Sequence, residues 1–166
     1  QIEWWHAFTG RLGELLEAQV AQFNESQSDY RVVAVHKGNY SEALNAGIAA
    51  FRAGEQPHLL QVFEVGTATM MAATGAVRPV FEVMEASGLP FDPNEYIPAV
   101  TGYYTNSDGQ MLSFPYNSST QVLYVNRDKL SEAGIDPDVD LTNWENWDEV
   151  LTQLVDAGVT CPFTTS

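Results

Sequence analysis

The sequence predicts an α/β protein built on a parallel, doubly wound sheet. Runs rich in β-branched and aromatic residues alternate with segments whose apolar residues recur at helical spacing, and this strand–helix order occurs three times in the first half of the chain. Gly, Pro or Asn marks the junctions, so the connections are short and the strands must run parallel. With 45% hydrophobic and 17% charged residues, the 166-residue chain can bury a core and is not disordered by composition.

The first strand is the apolar and aromatic run Ile2–His6. Thr9-Gly10 then opens a helix whose Leu12, Leu15, Leu16, Val20 and Phe23 fall at helical spacing. The β-branched run from Tyr30 to Lys37 predicts the second strand, closed by Gly38-Asn39; Asn39 and Glu42 form a capping pair for a helix from about Tyr40 to Arg52. Gly54 stops that helix. After Pro57, Leu59 to Phe63 reads as a third strand, meeting Gly66-Thr67 and the small-residue helix Ala68 to Ala73.

Beyond Pro79 the expectations are a helix around Val80 to Ala86, a turn-rich stretch and another helix near Tyr96 to Val100. A β-hairpin is expected around Asp108-Gly109. Val122 to Val125 reads as a further strand, Asp128 to Ala133 as a short helix and Asp136 to Asp140 as an acidic linker. Asn146 with Glu149 is expected to cap a helix ending at Gly158, and Val159 to Phe163 reads as the start of a strand without a partner, so the chain looks unfinished.

Composition narrows function. Lys and Arg number 7 against 22 Asp and Glu, a formal charge of −15, which disfavours nucleic acid and anionic membranes as partners. The single cysteine, Cys161, excludes a disulfide scaffold and CxxC chemistry. No apolar run approaches the ~20 residues of a membrane span. The chain begins at Gln1, as it would after removal of a signal peptide or in a trimmed chain.

No catalytic motif stands out. GxSxG, GxxxxGK[ST] and GxGxxG are all absent, and His6, His36 and His58 lack metal-ligand spacing, so no catalytic residue, metal or cofactor is assigned. Asp136, Asp138 and Asp140 imitate the opening of a calcium loop, but Leu141 stands where that loop needs Gly and Trp147 where it needs Glu. The triplets at Asn24, Asn39 and Asn117 match a glycosylation sequon and are given no role.

Topology supplies the remaining argument, because open α/β sheets bind small ligands outside the carboxyl ends of their strands. His6 to Gly10, Lys37 to Ser41 and Glu64 to Thr67 follow the three strands and should share that edge. Tyr40 offers a ring face and a hydroxyl, Glu64 an acceptor for hydroxyls or amines, and Gly66-Thr67 backbone N–H groups at a helix start. These residues make a binding crevice.

Longer blocks carry a resemblance: Trp5-His6, Lys37-Gly38-Asn39-Tyr40, Ala46 to Arg52, Glu64 to Met71, Thr101-Gly102-Tyr103-Tyr104 and Asn117-Ser118-Ser119-Thr120. On these the chain resembles the family 1 extracellular solute-binding proteins, receptors of ABC uptake systems that include maltose-binding protein, and in particular the members that bind glycerol-3-phosphate. The resemblance implies a type II periplasmic binding-protein fold, two α/β lobes joined by a hinge and closing on a ligand in the cleft. It implies that this chain is an N-terminal fragment of that fold: residues 1–116 most of the first lobe, residues 117–166 the hinge crossover and the start of the second. Implied ligand contacts are Tyr40, Glu64 and Ser119, with Ser118, Gly66, Thr67, Trp5 and His6 as weaker candidates.

The same resemblance implies no catalysis, a periplasmic location, permease subunits of an ABC transporter as partners, and a monomer at full length. Its ligand would be sn-glycerol-3-phosphate or a glycerophosphodiester. The alternatives are a sugar or oligosaccharide receptor of the same fold and an enzyme hydrolysing glycerophosphodiesters. The isolated 166 residues are expected to bind glycerol-3-phosphate weakly or not at all. At −15, phosphate must be held by short-range oriented donors, with an arginine that the family carries beyond this chain. Acidity of this degree is expected to make stability rise with salt, through screening of self-repulsion; a flat thermal-melting profile from low to high salt would contradict that.

Overall fold

A computed structural model describes residues 1–73 and 75–165. They form two compact units, Gln1–Ser118 and Ser119–Ser166.

The first unit is built on three parallel strands in the order β2-β1-β3, where β1 is Ile2–His6, β2 is Val32–His36 and β3 is Leu59–Leu60. Register pairs Ile2 with Val32 and His6 with His36 on one side of β1, and Trp4 with Leu59 and Trp5 with Leu60 on the other. Sequence-adjacent strands are separated by helices, α1 (Gly10–Ser26) and α2 (Tyr40–Ala53), so the predicted doubly wound order is present. The third strand is shorter than expected. Only Leu59 and Leu60 pair with β1, and the chain from Gln61 onward turns into α3 (Glu64–Met71).

Local chemistry explains the elements. Asn39 and Glu42 form the capping box: Asn39 Oδ1 accepts the Glu42 N–H at 2.9 Å, and Glu42 Oε2 accepts the Asn39 N–H at 2.7 Å. Gly38 is required there, because its φ is +81° and a Cβ would stand 2.2 Å from Glu42 Oε2. Asn24 ties the end of α1 to the start of β2, its amide accepting from the Val32 N–H and donating to the Val32 carbonyl, both at 2.8 Å. That engagement gives the Asn24 triplet a structural use. Leu16, fully buried, is the buried residue of α1, and Ala43 and Gly47 are those of α2.

Helices α4 (Val80–Ser87) and α5 (Pro98–Thr101) follow, the second starting two residues later than expected because Ile97, before Pro98, is held extended, and passing into a 3-10 turn at Gly102–Tyr104. The predicted β-hairpin reduces to one antiparallel bridge, Thr105 with Met111. Asn106 takes over the turn: its Oδ1 accepts from the N–H groups of Asp108 and Gln110, an Asx arrangement that closes the loop with little ladder.

The second unit contains α6 (Arg127–Glu132) and α7 (Trp144–Asp156), packed through Leu130, Ile135, Val150 and Leu154. Its cap differs from the expectation. Asn143, not Asn146, precedes α7, and Asn143 Oδ1 accepts the Asn146 N–H at 2.9 Å. The acidic linker is held by its own turns: Asp136 accepts the Asp138 N–H, and Asp140 accepts both the N–H and the hydroxyl of Thr142, which holds the Asp140 carboxyl below its usual range. The strands expected at Val122 to Val125 and Val159 to Phe163 form no ladder among the described residues. β-branched side chains favour an extended backbone, but a strand also needs a hydrogen-bonding neighbour.

Candidate functional site

The carboxyl edge of the sheet gathers an aromatic cluster. Phe8 follows β1, Tyr40 opens α2 and Phe63 is the N-cap residue of α3, so each ring comes from the segment after a different strand. Tyr40 stacks on Phe63 with ring centroids 5.5 Å apart and planes within 19°, while Phe8 meets Tyr40 edge-on at 6.5 Å. Tyr116 joins them, 5.7 Å from Phe8 and 5.3 Å from Trp4, and its hydroxyl bonds Gln19 of α1. Phe63 and Tyr116 were not picked out from sequence as site residues, and Phe8 only as part of the His6 to Gly10 segment. Phe63 reads there as the last residue of a strand, although its place directly before Glu64 was a usable signal.

Glu64 is the first residue of α3, with its side chain exposed and its carboxylate at the positive end of the helix. The Tyr103 hydroxyl donates to the Glu64 carbonyl. Next to it, burial foremost, then the charges of Tyr103 and Glu64, push the Tyr104 phenol above its ordinary pKa. The structure therefore joins Tyr40 and Glu64 through Phe63, which stacks on one and precedes the other.

Gly66 and Thr67 take a different role from the one expected. Both are buried, the Gly66 N–H donates to the Phe63 carbonyl at 3.0 Å, and the Thr67 hydroxyl donates to the same oxygen at 3.0 Å. Because α3 begins at Glu64, its donors without an intrahelical acceptor are the N–H groups of Glu64 and Val65. Gly66 instead permits close packing: a Cβ there would lie 2.8 Å from Leu44 Cδ2, 3.1 Å from Val62 Cγ1 and 3.3 Å from Phe63 Cε1.

Trp5 and His6 are likewise buried. The Trp5 indole N–H donates to Glu3 Oε2 at 3.2 Å, and the Lys37 ammonium sits 3.7 Å above its ring, so both of its polar opportunities are used within the sheet. His6 Nδ1 accepts the Phe8 N–H at 3.3 Å, and its ring lies 5.7 Å from His36. Burial, then the neighbouring His36 charge, lower the His6 pKa, with Glu17 opposing. The folded protein thus binds fewer protons than the unfolded chain below the ordinary value of 6.5. Stability from this group is complete above that pH and is lost as pH falls toward the lowered pKa. Thermal melting from pH 7.5 to 5 should show a His6-dependent loss, and His6→Gln should flatten it; an unchanged profile in the variant would refute that coupling.

Ser118 closes the first unit and Ser119 opens the second, both exposed. The second unit also carries an apolar depression of about 260 Å³, walled by Leu123, Leu130, Trp147, Leu151, Leu154 and Phe163, and none of the predicted site residues lies on it. No group of three or more His, Cys, Asp or Glu side chains among the described residues is arranged to hold a metal ion.

A model of the bacterial extracellular solute-binding proteins matches residues 9–164. The chain belongs to this family. It is 46% identical, over its whole length, to an sn-glycerol-3-phosphate-binding periplasmic protein UgpB of Brucella abortus, and it spans 39% of that relative's length. Among solved structures it is similar to UgpB of Mycobacterium tuberculosis in complex with glycerophosphocholine, with a TM-score of 0.75 at 19% identity over 94% of this chain and 40% of that one. It is similar also to a cyclic alpha-maltosyl-1,6-maltose binding protein of Arthrobacter globiformis, with a TM-score of 0.73 at 22% identity over 95% of this chain and 38% of that one. The fold is that of the type II periplasmic binding proteins, as the resemblance implied, and this chain covers part of it.

Proposed function

We propose that this chain belongs to a substrate receptor of an ABC importer that binds sn-glycerol-3-phosphate or a glycerophosphodiester in the cleft of the family-length fold, without catalysis. The reading rests on one observation above others. A chain 46% identical throughout to a glycerol-3-phosphate-binding protein holds Tyr40 and Glu64 together at the sheet edge where α/β folds take small ligands. Ser119 is the third proposed contact, with Ser118 behind it. The receptor would work in the periplasm as a monomer and deliver its ligand to the permease subunits.

Charge decides how the ligand is oriented. A carboxylate beside a phosphate dianion is repulsive, so Glu64 accepts from the glycerol hydroxyls, while the phosphate takes oriented hydroxyl and N–H donors. Tyr40 covers the carbon backbone with its ring and presents its hydroxyl to either part. A nuclear magnetic resonance titration with glycerol-3-phosphate, glycerophosphocholine and maltose tests this choice. The glycerophosphates are expected to shift the Tyr40 and Glu64 amides and maltose to leave them unmoved. A larger response to maltose would favour the sugar receptor, and phosphate release from a glycerophosphodiester by the purified protein would favour the hydrolase.

A further inference from the structure

Two residues outside the proposed contact set hold it in shape. Phe63 presents one face to the Tyr40 ring at 5.5 Å, and its carbonyl accepts from both Gly66 and Thr67, which fixes the first turn of α3. Its ring edge packs close over Gly66, where an added Cβ would lie 3.3 Å from Phe63 Cε1. Tyr103 reaches from the 3-10 turn Gly102–Tyr104 to the Glu64 carbonyl, a contact spanning 39 positions of sequence. The Tyr103 ring is itself braced edge-on by Tyr104 at 5.1 Å.

We propose that Phe63 and Tyr103 are positioning residues that lock the Tyr40 ring and the Glu64 backbone into one preformed set for a hydroxyl-bearing ligand. The inference rests on the reading that Tyr40 and Glu64 contact ligand. Its physical content is preorganisation: a ring and a backbone already held in place lose less freedom on binding than two independently mobile groups. Neither positioning residue needs to touch the ligand. Phe63 acts through stacking, which any flat aromatic ring supplies, and Tyr103 through one hydroxyl.

The experiment is the glycerol-3-phosphate titration by nuclear magnetic resonance on the family-length protein that carries this chain and on its Phe63→Leu, Phe63→Tyr, Tyr103→Phe and Tyr40→Ala variants. Phe63→Leu is expected to move the Tyr40 ring resonances without ligand, since the stacked ring is gone, and to raise the apparent Kd about threefold to tenfold. Phe63→Tyr, which keeps the ring, is expected to restore both. Tyr103→Phe is expected to shift the Glu64 and Val65 amides and to raise the apparent Kd about threefold or more, with the melting temperature nearly unchanged because the contact is at the surface. Wild-type affinity in both Phe63→Leu and Tyr103→Phe, alongside a response lost in Tyr40→Ala, would overturn the positioning role and leave the ligand site standing. A weakened affinity in Phe63→Tyr equal to that of Phe63→Leu would also overturn it. No saturable response in the unaltered family-length protein would overturn the ligand site, and the positioning role with it.

Discussion

Leu16→Ala should destabilise the first unit by about 2–5 kcal/mol, as buried Leu truncations do when the surroundings close only part of the cavity. Leu16 has no exposed surface, whereas Leu12 is 51% and Leu15 46% exposed on the same helix. It is thus the residue by which α1 docks on the sheet, and α1 in turn holds β2 through Asn24. Against a total stability of about 5–15 kcal/mol, a loss of that size threatens the unit as a whole. Hydrogen exchange of the β1 amides measures the effect within the first unit alone. Leu12→Ala is the control and should change stability by about 0.5 kcal/mol or less. Equal losses in the two variants would show that α1 is not anchored through Leu16.

Glu64→Ala is expected to weaken glycerol-3-phosphate binding by the family-length protein strongly, with little change in stability. A hydrogen bond to a charged group contributes about 1.5–3 kcal/mol, so losing it weakens binding about tenfold to a hundredfold. The structural cost is small by comparison, since the carboxylate is exposed and its helix-terminus interaction is worth about 0.3–1 kcal/mol. Affinity and stability should therefore separate in this variant. Glu64→Gln, which keeps an acceptor but drops the charge, should retain part of the response if the partner is a hydroxyl. Tighter phosphate binding in Glu64→Gln than in the unaltered chain would mean that the carboxylate faces the phosphate, contrary to the proposed orientation.

The legible parts of the sequence were those whose information is local. Ile2–His6 carries its strand signal in five residues, and the Asn39 and Glu42 capping box needs only a spacing of three. Parallel order also followed, because a helix stands between successive strands and fixes the crossover. Long-range partners were not legible. Val122 to Val125 has strand composition, yet no described neighbour pairs with it, and around Asp108-Gly109 the Asn106 side chain shares the turn with a pairing no longer than one bridge and its flanking backbone bonds. The α7 cap was misplaced by three residues because Asn143 and Asn146 are both good caps, and only the fold selects between them.

The candidate site divides the same way. Tyr40 and Glu64 were placed at the sheet edge by the rule that ligands sit beyond the carboxyl ends of strands, and in the structure they open α2 and α3 just beyond the strands. The stack that joins them depends on where Phe63 leaves β3, and the shortness of β3 was not written in its apolar run. Gly66 and Thr67 were assigned to ligand because they lie near a helix start, but two residues of offset move them from open donors to buried supports. His6, a polar residue at a strand end, reads as a candidate contact, and in the structure its ring is buried and its Nδ1 accepts the Phe8 N–H. Burial, which sequence conveys poorly for single residues, separates these cases.

On the proposed function, the charge of −15 on these residues gives no long-range attraction for a phosphate, and Tyr40 and Glu64 would hold the glycerol part of the ligand through short-range oriented contacts. Amide chemical-shift mapping of the family-length protein during a glycerol-3-phosphate titration tests that claim most directly. The account predicts saturable shifts centred on Tyr40 and on Phe63 to Val65, with the α7 depression around Trp147 and Leu154 unaffected. Shifts centred on that depression, or no saturable shift anywhere in the chain, would contradict it.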